Sequence, residues 1–518
     1  MPAWDAVVVG GGHNGLTAAA YLARAGMRVL VLERLSHTGG AAVSDRVFPG
    51  VDARLSRYAY LVSLLPRRIV TDLGLRLRLA RRRYSSYTPD PARPARGLLV
   101  DRYASAAETR DAFTAVDAAP DASAWSEFYS ATTALARVVF PSLLEPLPAA
   151  DELRGRLAEA DLWDALTTRP LGSVVEDRFG SDLVRGVVAT DGLIGTFASL
   201  RDDDLAANRC FLYHVIGGGS GDWDVPVGGM GTVTDELARA ARRAGAVLRT
   251  RAEVTAIDPD AAAVVWNDGT REHVEQAGVV LSGVAPGVLG RLLGESAVPP
   301  EGAQVKVNLL VRRLPALADP RVAPAAAFSG TLHVNETYSQ LEAGHAAAAA
   351  GGVPDPLPCE VYCHTLTDPG ILSPDLAASG HHTLTVFGLH TPHRLAAGAD
   401  LRDRLQAAVL SSLNSVLAEP VEDVLAVDAD GAPCIETRTT TDLAEALGMP
   451  GGHIFHGPLA WPWREAGDQP RSPAERWGVA TAHPRVLLCG SGAVRGGAVS
   501  GIGGHNAAMA VLETRHGR

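Results

Sequence analysis

The stretch Trp4-Asp-Ala-Val-Val-Val9, then Gly10-x-Gly12-x-x-Gly15, the Ala/Leu run Leu16–Ala25 and Arg28-Val-Leu-Val-Leu-Glu33, decides the fold of this chain. An apolar strand ends at Gly10, a helix stops at Gly26 and a second apolar strand ends at Glu33. That is strand–helix–strand within about 30 residues, the opening of a Rossmann-like unit. Each glycine has a mechanical task. Gly10 permits the tight turn, Gly12 lets the backbone approach a pyrophosphate, and Gly15 lets the helix lie close to its strand. The helix start at His13-Asn14 then offers free N–H groups and a partial positive charge to phosphates. His13 itself reads as ordering the loop. Glu33 can accept hydrogen bonds from both ribose hydroxyls and would repel a 2′-phosphate, so FAD or NAD fits and NADP does not.

Outward from that unit, the fingerprint extends as Glu33-Arg34-Leu-Ser-His-Thr-Gly39-Gly40, with Ala41 next. The extended form Glu-Arg-x4-Gly-Gly favours FAD over NAD. A nucleotide loop at one end of the chain leaves the flavin half to be held elsewhere. Leu487-Leu-Cys-Gly490-Ser491-Gly492, followed by Gly496-Gly497-Ala498-Val499-Ser-Gly501 and a helix from Asn506, meets that need with a second strand, glycine turn and helix N-terminus.

Between the two, Leu75–Leu79 alternates as a half-buried strand and residues 104–220 carry a helical pattern. In that pattern Trp125, Phe128, Thr132, Leu135 and Val139 share one face, and Pro141 is expected to end the helix. Gly217–Gly221 reads as a flexible loop, Thr234–Ala244 as a helix, and Val264–Trp266 with Asn267-Asp-Gly269 as a hairpin. No internal repeat is visible.

With 518 residues the chain is too long for one core, and its 47% hydrophobic and 20% charged residues are those of a folded globular protein. A net charge of −11 argues against nucleic acid as a partner. No apolar run of about 18 residues and no basic leader precede or interrupt the pattern, so the expected location is the cytoplasm. Peripheral membrane contact stays open, although no basic amphipathic helix is evident. The five cysteines show no zinc spacing, and no metal site is expected. Cys359 and Cys363 are separated by four residues of strand, roughly 13 Å at ~3.3 Å per residue, too far for a disulfide.

Five motifs in order, Gly-Gly-Gly-His13-Asn14-Gly-Leu-Thr-Ala-Ala, Pro226-Val-Gly-Gly-Met-Gly231, Val305-Lys-Val-Asn-Leu309, Gly452-His-Ile-Phe-His-Gly457 and Leu488-Cys-Gly-Ser-Gly492, resemble the phytoene desaturase-related FAD oxidoreductases. The resemblance is closest to the subgroup called pyridine nucleotide-disulphide oxidoreductase domain-containing protein 2. It implies an α/β fold of the amine oxidase/phytoene desaturase, glutathione-reductase-like type. A discontinuous Rossmann-like FAD-binding domain (1–60, 222–300 and 448–518) would join a mixed-sheet substrate domain (61–103 and 301–447) and a helical lid (104–221). It further implies that Val254 holds the adenine, that Leu55–Tyr58 passes near the flavin, and that Gly497–Val499 approaches its pyrimidine end. The chain departs from the family at Val494-Arg-Gly-Gly-Ala498 and at Trp461-Pro-Trp-Arg with Gly467–Arg471, two segments expected to line the pocket. The disulphide-reductase part of the subgroup name has no counterpart here, for no redox-spaced cysteine pair and no second strand–GxGxxG–helix occurs. Electrons are therefore expected to leave for oxygen or a quinone.

Two residues stand out for chemistry. Lys306 is the only lysine among 47 basic residues. On its strand, alternation places Lys306, Asn308 and Leu310 on one face. In the related flavin amine oxidases a lysine on the equivalent strand holds a water at the flavin N5, and a compact, tunable ammonium is what an arginine cannot replace. His456 is the second candidate, as general base or substrate contact; His453 and His505 are weaker. The expected function is two-electron oxidation, forming a double bond in an apolar or heterocyclic small molecule. Amine-oxidase-like C–N oxidation with peroxide formation is one alternative. A non-catalytic FAD protein that binds a partner is the other.

Overall fold

The computed structural model describes residues 3–296, 298–398, 400–465 and 467–517. Its first sheet has seven strands. Trp4–Val9 lies at the centre, parallel to Val29–Leu32 on one side and to the end of Glu272–Ser282 on the other, with Val247–Arg249 and Val486–Leu488 extending the parallel part. All four residues of Val29–Leu32 are buried, as a parallel strand covered on both faces requires. The expected hairpin is present, with Asn267 opposite Glu272.

Helix His13–Arg24 covers this sheet and packs against the C-terminal helix Ile502–His516. Glycine makes that approach possible: a Cβ on Gly504 would stand 1.9 Å from the Asn14 carbonyl oxygen, and one on Gly15 2.2 Å from that of Gly10.

The second sheet also has seven strands, in the order Ile435–Arg438, Val305–Val311, His382–Gly388, Cys359–Tyr362, Thr331–Val334, Tyr84–Asp90, Arg93–Asp101. It is mixed, because Thr331–Val334 runs parallel to Tyr84–Asp90 while the other pairs are antiparallel. Along Val305–Val311 the odd positions enter an apolar core with Val361, Val386 and Val409. The even positions face the other way.

Helices follow one another between Ala106 and Val215, and helix Asp182–Ala189 packs against strand Tyr84–Asp90. Phe128, Thr132, Leu135 and Val139 of helix Asp121–Ser142 are buried together, as their spacing demands. Pro141 sits in the last turn of that helix, which ends one residue on at Ser142, as expected of a residue with no N–H to bond back into the helix. Two local expectations change. Residues 75–78 are not strand, because the Arg76 N–H is taken by the Glu236 carboxylate at 2.8 Å, and pairing begins only at Leu79–Arg81. The loop Gly217–Gly221 is anchored at its first residue, where a Cβ would fall 1.5 Å from Ser63 Oγ, while Gly218 and Ser220 are exposed.

Candidate active site

One cavity of ≈ 600 Å³ runs from the first glycine loop to the face of the second sheet. At the nucleotide end, helix His13–Arg24 starts at Gly12 without a side-chain cap, and the C-terminal helix likewise starts uncapped at Gly501. A Cβ on Gly12 would meet nothing within 4 Å, so its Cα looks into open space. Glu33 lines the cavity while accepting from the Gly11 N–H at 2.7 Å and the Leu35 N–H at 2.8 Å. Each carboxylate oxygen keeps a further lone pair for a ribose hydroxyl. The two glycine loops are tied together: the His13 ring bonds the Ala498 carbonyl at 3.0 Å and Asn14 Nδ2 donates to the Gly496 carbonyl at 3.3 Å. Burial lowers His13 to about 4, so the ring is neutral and can donate from Nε2. Asn14 Oδ1 is buried without a partner.

The structure brings Gly10, Gly12, His13, Asn14, Gly15, Glu33, Arg34, Gly40, Ala41, Val254, Gly490, Ser491, Ala498 and Val499 to the cavity wall. Gly39 and Gly497 stand behind it. Gly39 donates its N–H to the Gly11 carbonyl at 2.9 Å, and a side chain on Gly497 would strike Leu459 at 2.7 Å. Both support the loops rather than line the cavity.

At the other end the register of the second sheet aligns one row of side chains across five strands: Arg438 opposite Lys306, Lys306 opposite Phe387, Phe387 opposite Glu360, and Glu360 opposite His333. All five line the cavity. Strands about 4.8 Å apart put Lys306 and His333 roughly 14 Å from one another along this row.

Lys306 Nζ donates to the carbonyls of Ser56 at 2.6 Å and Tyr58 at 2.7 Å, and lies 4.8 Å from the centre of the Tyr60 ring. It thereby fixes the chain segment that leads from the first sheet into the cavity. Burial pulls its ammonium down to about 7, opposed by the Glu436 carboxylate.

Past Phe387 and Tyr60 the wall becomes ionisable. His333 Nδ1 and Glu336 Oε2 are 2.6 Å apart, Tyr362 donates to Glu360, and Glu336 Oε1 is buried with no partner. Burial, with Glu336 nearby, raises Glu360 to about 8. Burial also raises Asp191, while Glu336 lifts His333 above its usual range against the effect of burial. His333, Glu336 and Glu360 offer ligand-type atoms within 4.8 Å of one another.

Both residues singled out for chemistry line the cavity. His456 has its charge neighbours in His13 and His453, at the cofactor end, and burial lowers it to about 4. Its backbone is left-handed at φ +66° and its Nδ1 has no partner. His453 accepts the Phe455 N–H on Nδ1 at 3.3 Å, and His505 is buried between Tyr21 and Trp477, so both are structural.

Of the two departures from the family, the first reaches the pocket only through Ala498, and the second does not line it, contrary to expectation. Arg495 is 1% exposed and donates to the carbonyls of Ser142, Glu145 and Trp477, clamping the end of helix Asp121–Ser142 to the C-terminal loop. Trp461 and Trp463 stack on one another, with Trp163 of helix Asp161–Thr168 4.3 Å from Trp463. Arg495 and the tryptophan pair are engaged in packing rather than turned to the cavity, and Gly467–Arg471 lies at the surface.

Arg82, Asp191, His333, Glu360 and Tyr362 escaped the sequence reading. For His333, Glu360 and Tyr362 the one signal is a charged or polar residue inside an apolar strand, as in Cys359-Glu-Val-Tyr362 or Thr331-Leu-His-Val334; Arg82 and Asp191 lie in turns and carry none.

This architecture is a Rossmann-like dinucleotide-binding α/β fold with a mixed second sheet. An NAD(P)-binding Rossmann-like domain model matches residues 8–66. A putrescine oxidase shares the fold with a TM-score of 0.57 at 17% identity over 99% of this chain and 98% of its own. Cyclohexylamine oxidase from Brevibacterium oxydans IH-35A does so at 0.56 and 16%, over 99% and 100%. In sequence, the rat pyridine nucleotide-disulfide oxidoreductase domain-containing protein 2 is 31% identical over 99% of this chain and 94% of its own length, and the chain belongs to that family. An uncharacterized protein of Mycobacterium tuberculosis H37Rv is 56% identical over 98% and 97%. Among the described residues no helix is long and apolar enough to cross a membrane.

Proposed function

We propose that the protein is an FAD-dependent oxidoreductase that takes two electrons from a small molecule held against the second sheet, forming a double bond, and delivers them to oxygen or a quinone. One observation carries this reading: a single cavity joins the dinucleotide fingerprint to the row Arg438–Lys306–Phe387–Glu360–His333. The residues present fit FAD. Open space at Gly12, two uncapped helix N-termini and the orphaned Asn14 Oδ1 suit a pyrophosphate and its neighbours. Glu33 would hold the ribose, Val254 the adenine, and Gly490, Ser491, Ala498 and Val499 the flavin half. When bound, FAD supplies a two-electron acceptor.

The chain's own residues supply the rest. Lys306 positions the Ser56–Tyr58 backbone and holds or releases a proton near neutrality. Tyr60, Tyr362 and Phe387 give an aromatic wall that limits water. The polar groups beyond them favour a heterocyclic or otherwise polar substrate over a purely apolar one. Amine-oxidase-like C–N oxidation is a second reading, favoured by the Asp191 carboxylate and the Glu360 carboxyl group on that wall.

Anaerobic photoreduction of the purified protein, then mixing with oxygen or with quinones, tests the proposal. Rapid reoxidation by either is expected. A reduced flavin that neither acceptor reoxidises would leave only a non-catalytic flavoprotein, and a colourless protein would remove FAD itself. Peroxide formed with amines and with no heterocycle or polyene would select the second reading.

A further inference from the structure

Two charged side chains beyond the row make no ion pair among the described residues: Arg82, which is buried, and Asp191, which is partly exposed and has His214 and His333 as charge neighbours without a hydrogen bond to either. Arg82 is 7% exposed and lines the cavity. Of its five N–H donors, Nε reaches the Trp223 carbonyl at 3.4 Å and one terminal nitrogen reaches Thr331 Oγ1 at 3.3 Å, both long. Its guanidinium also stands 5.8 Å from the centre of the Tyr362 ring. Among the described residues no carboxylate pairs with it. Asp191, in the short turn Thr190–Gly192, lines the same cavity, and its carboxylate makes no hydrogen bond or ion pair among the described residues. The two feel each other's charge without pairing. Glu360 adds a second carboxyl group to the same wall, within charge range of both Arg82 and Asp191.

A buried charge without a partner is expensive, and a ligand that supplies the partner recovers that penalty as affinity. An anion alone would satisfy Arg82 and leave Asp191 bare; a cation alone would do the reverse. We propose that this end of the cavity binds an amphoteric molecule, its carboxylate on the Arg82 guanidinium and its ammonium between Asp191 and Glu360. As a statement about substrate, this rests on reading the cavity as the oxidoreductase site. As a statement about binding, it stands on Arg82 and Asp191.

The test is calorimetric titration of the full-length protein, as purified with its flavin, against glycine, 4-aminobutanoate and 6-aminohexanoate, with hexanoate and hexylamine as single-charge controls. At least one amino acid is expected to bind about tenfold more tightly than both controls. Arg82→Gln should weaken that amino acid by about tenfold or more and leave hexylamine unchanged. Should Arg82→Gln not fold, Asp191→Asn carries the test, weakening the amino acid and leaving hexanoate unchanged. Equal binding of hexylamine, or of hexanoate, would reduce the site to one sign of charge and overturn the proposal. Tight Zn²⁺ binding with no amino acid affinity would overturn it too, assigning the cluster to a metal. Flavin absorption of the same sample separates the two readings. Amino acid binding failing in a yellow protein sinks this inference alone, whereas a colourless protein that still binds amino acids sinks only the cofactor assignment.

Discussion

At the nucleotide end of the cavity the groups facing the ligand space are largely glycine Cα atoms and backbone N–H groups from contiguous stretches, whereas at the sheet end they are side chains drawn one from each of several strands. The first design depends on close approach, so its tolerance is set by sterics: Gly15 and Gly504 have no room for a Cβ. The second depends on charge held in a poorly solvated place, so its tolerance is set by proton occupancy and by what neighbours can pair. Substitutions at the two ends should therefore differ in kind. One end should fail abruptly and lose cofactor; the other should change in a graded, pH-dependent way.

The largest effect is expected from Gly504→Val. Its branched side chain would start 1.9 Å from the Asn14 carbonyl oxygen and separate the two helices that carry both glycine loops. Overpacking here has only backbone to displace, and a destabilisation of about 3 kcal/mol or more is expected. Flavin content after purification and thermal unfolding measure it. Wild-type flavin content would mean the helices can part freely, and the steric half of the comparison would be lost.

Lys306→Met comes next. It leaves the buried carbonyls of Ser56 and Tyr58 without their donor, at about 2–3 kcal/mol in total, yet flavin should remain bound because the glycine loops are untouched. The proton linkage has a definite sign. The unfolded chain keeps this proton up to about 10.5 while the folded protein releases it near 7. Between those values the unfolded state binds more protons, so Lys306 makes folded stability rise with pH. Denaturant midpoints from pH 6 to 10 should show that slope in the wild type and a flatter profile in the variant. Identical slopes would place the titration elsewhere.

The contrast between the ends also explains what could be read from the sequence. The nucleotide end was legible because a tight turn, a close phosphate approach and a helix–strand contact each demand glycine at a fixed spacing, and those demands fall within Gly10–Gly40. The row on the second sheet carries no such spacing. Lys306, Glu360 and His333 lie on separate strands and meet only through antiparallel register. Lys306 alone was conspicuous, because arginine replaces lysine everywhere else. Alternation correctly gave its face but not its partners, and nothing in the chain announced that Ser56 and Tyr58 would present their carbonyls to it. Arg82 looked like one more residue of an arginine-rich turn. Arg495 and the Trp461–Trp463 pair were misassigned for a related reason: departure from a family pattern marks a local change without saying whether it faces a ligand or another helix.

Glu360→Gln should have a smaller and opposite signature to Lys306→Met. The unfolded carboxyl loses its proton near 4.5, whereas the folded one keeps it to about 8. Through that window the folded state binds more protons, and this group lowers stability as pH rises. Glutamine mimics the protonated form and can still accept the Tyr362 hydroxyl. Stability near pH 5 should match the wild type, while at pH 9 the variant should be more stable by about 1–2 kcal/mol. A variant destabilised equally at both pH values would show that Glu360 acts through shape rather than charge.

The smallest effect is expected at His456, where the two ends of the cavity are set most directly against each other. A left-handed backbone at φ +66° disfavours histidine relative to glycine by about 1 kcal/mol, so His456→Gly should leave stability unchanged or slightly improved. The ring is neutral above about pH 4 and has His13 and His453, not Lys306, as its charge neighbours. A group in that position can contact the cofactor but stands apart from the row that would hold a substrate. Flavin should therefore stay bound, and turnover with any substrate found should fall by less than about tenfold. A loss of about a hundredfold or more in kcat, with flavin retained, would put proton transfer at the cofactor end. The separation between a steric nucleotide end and a titrating sheet end would then have to be redrawn around His456 itself.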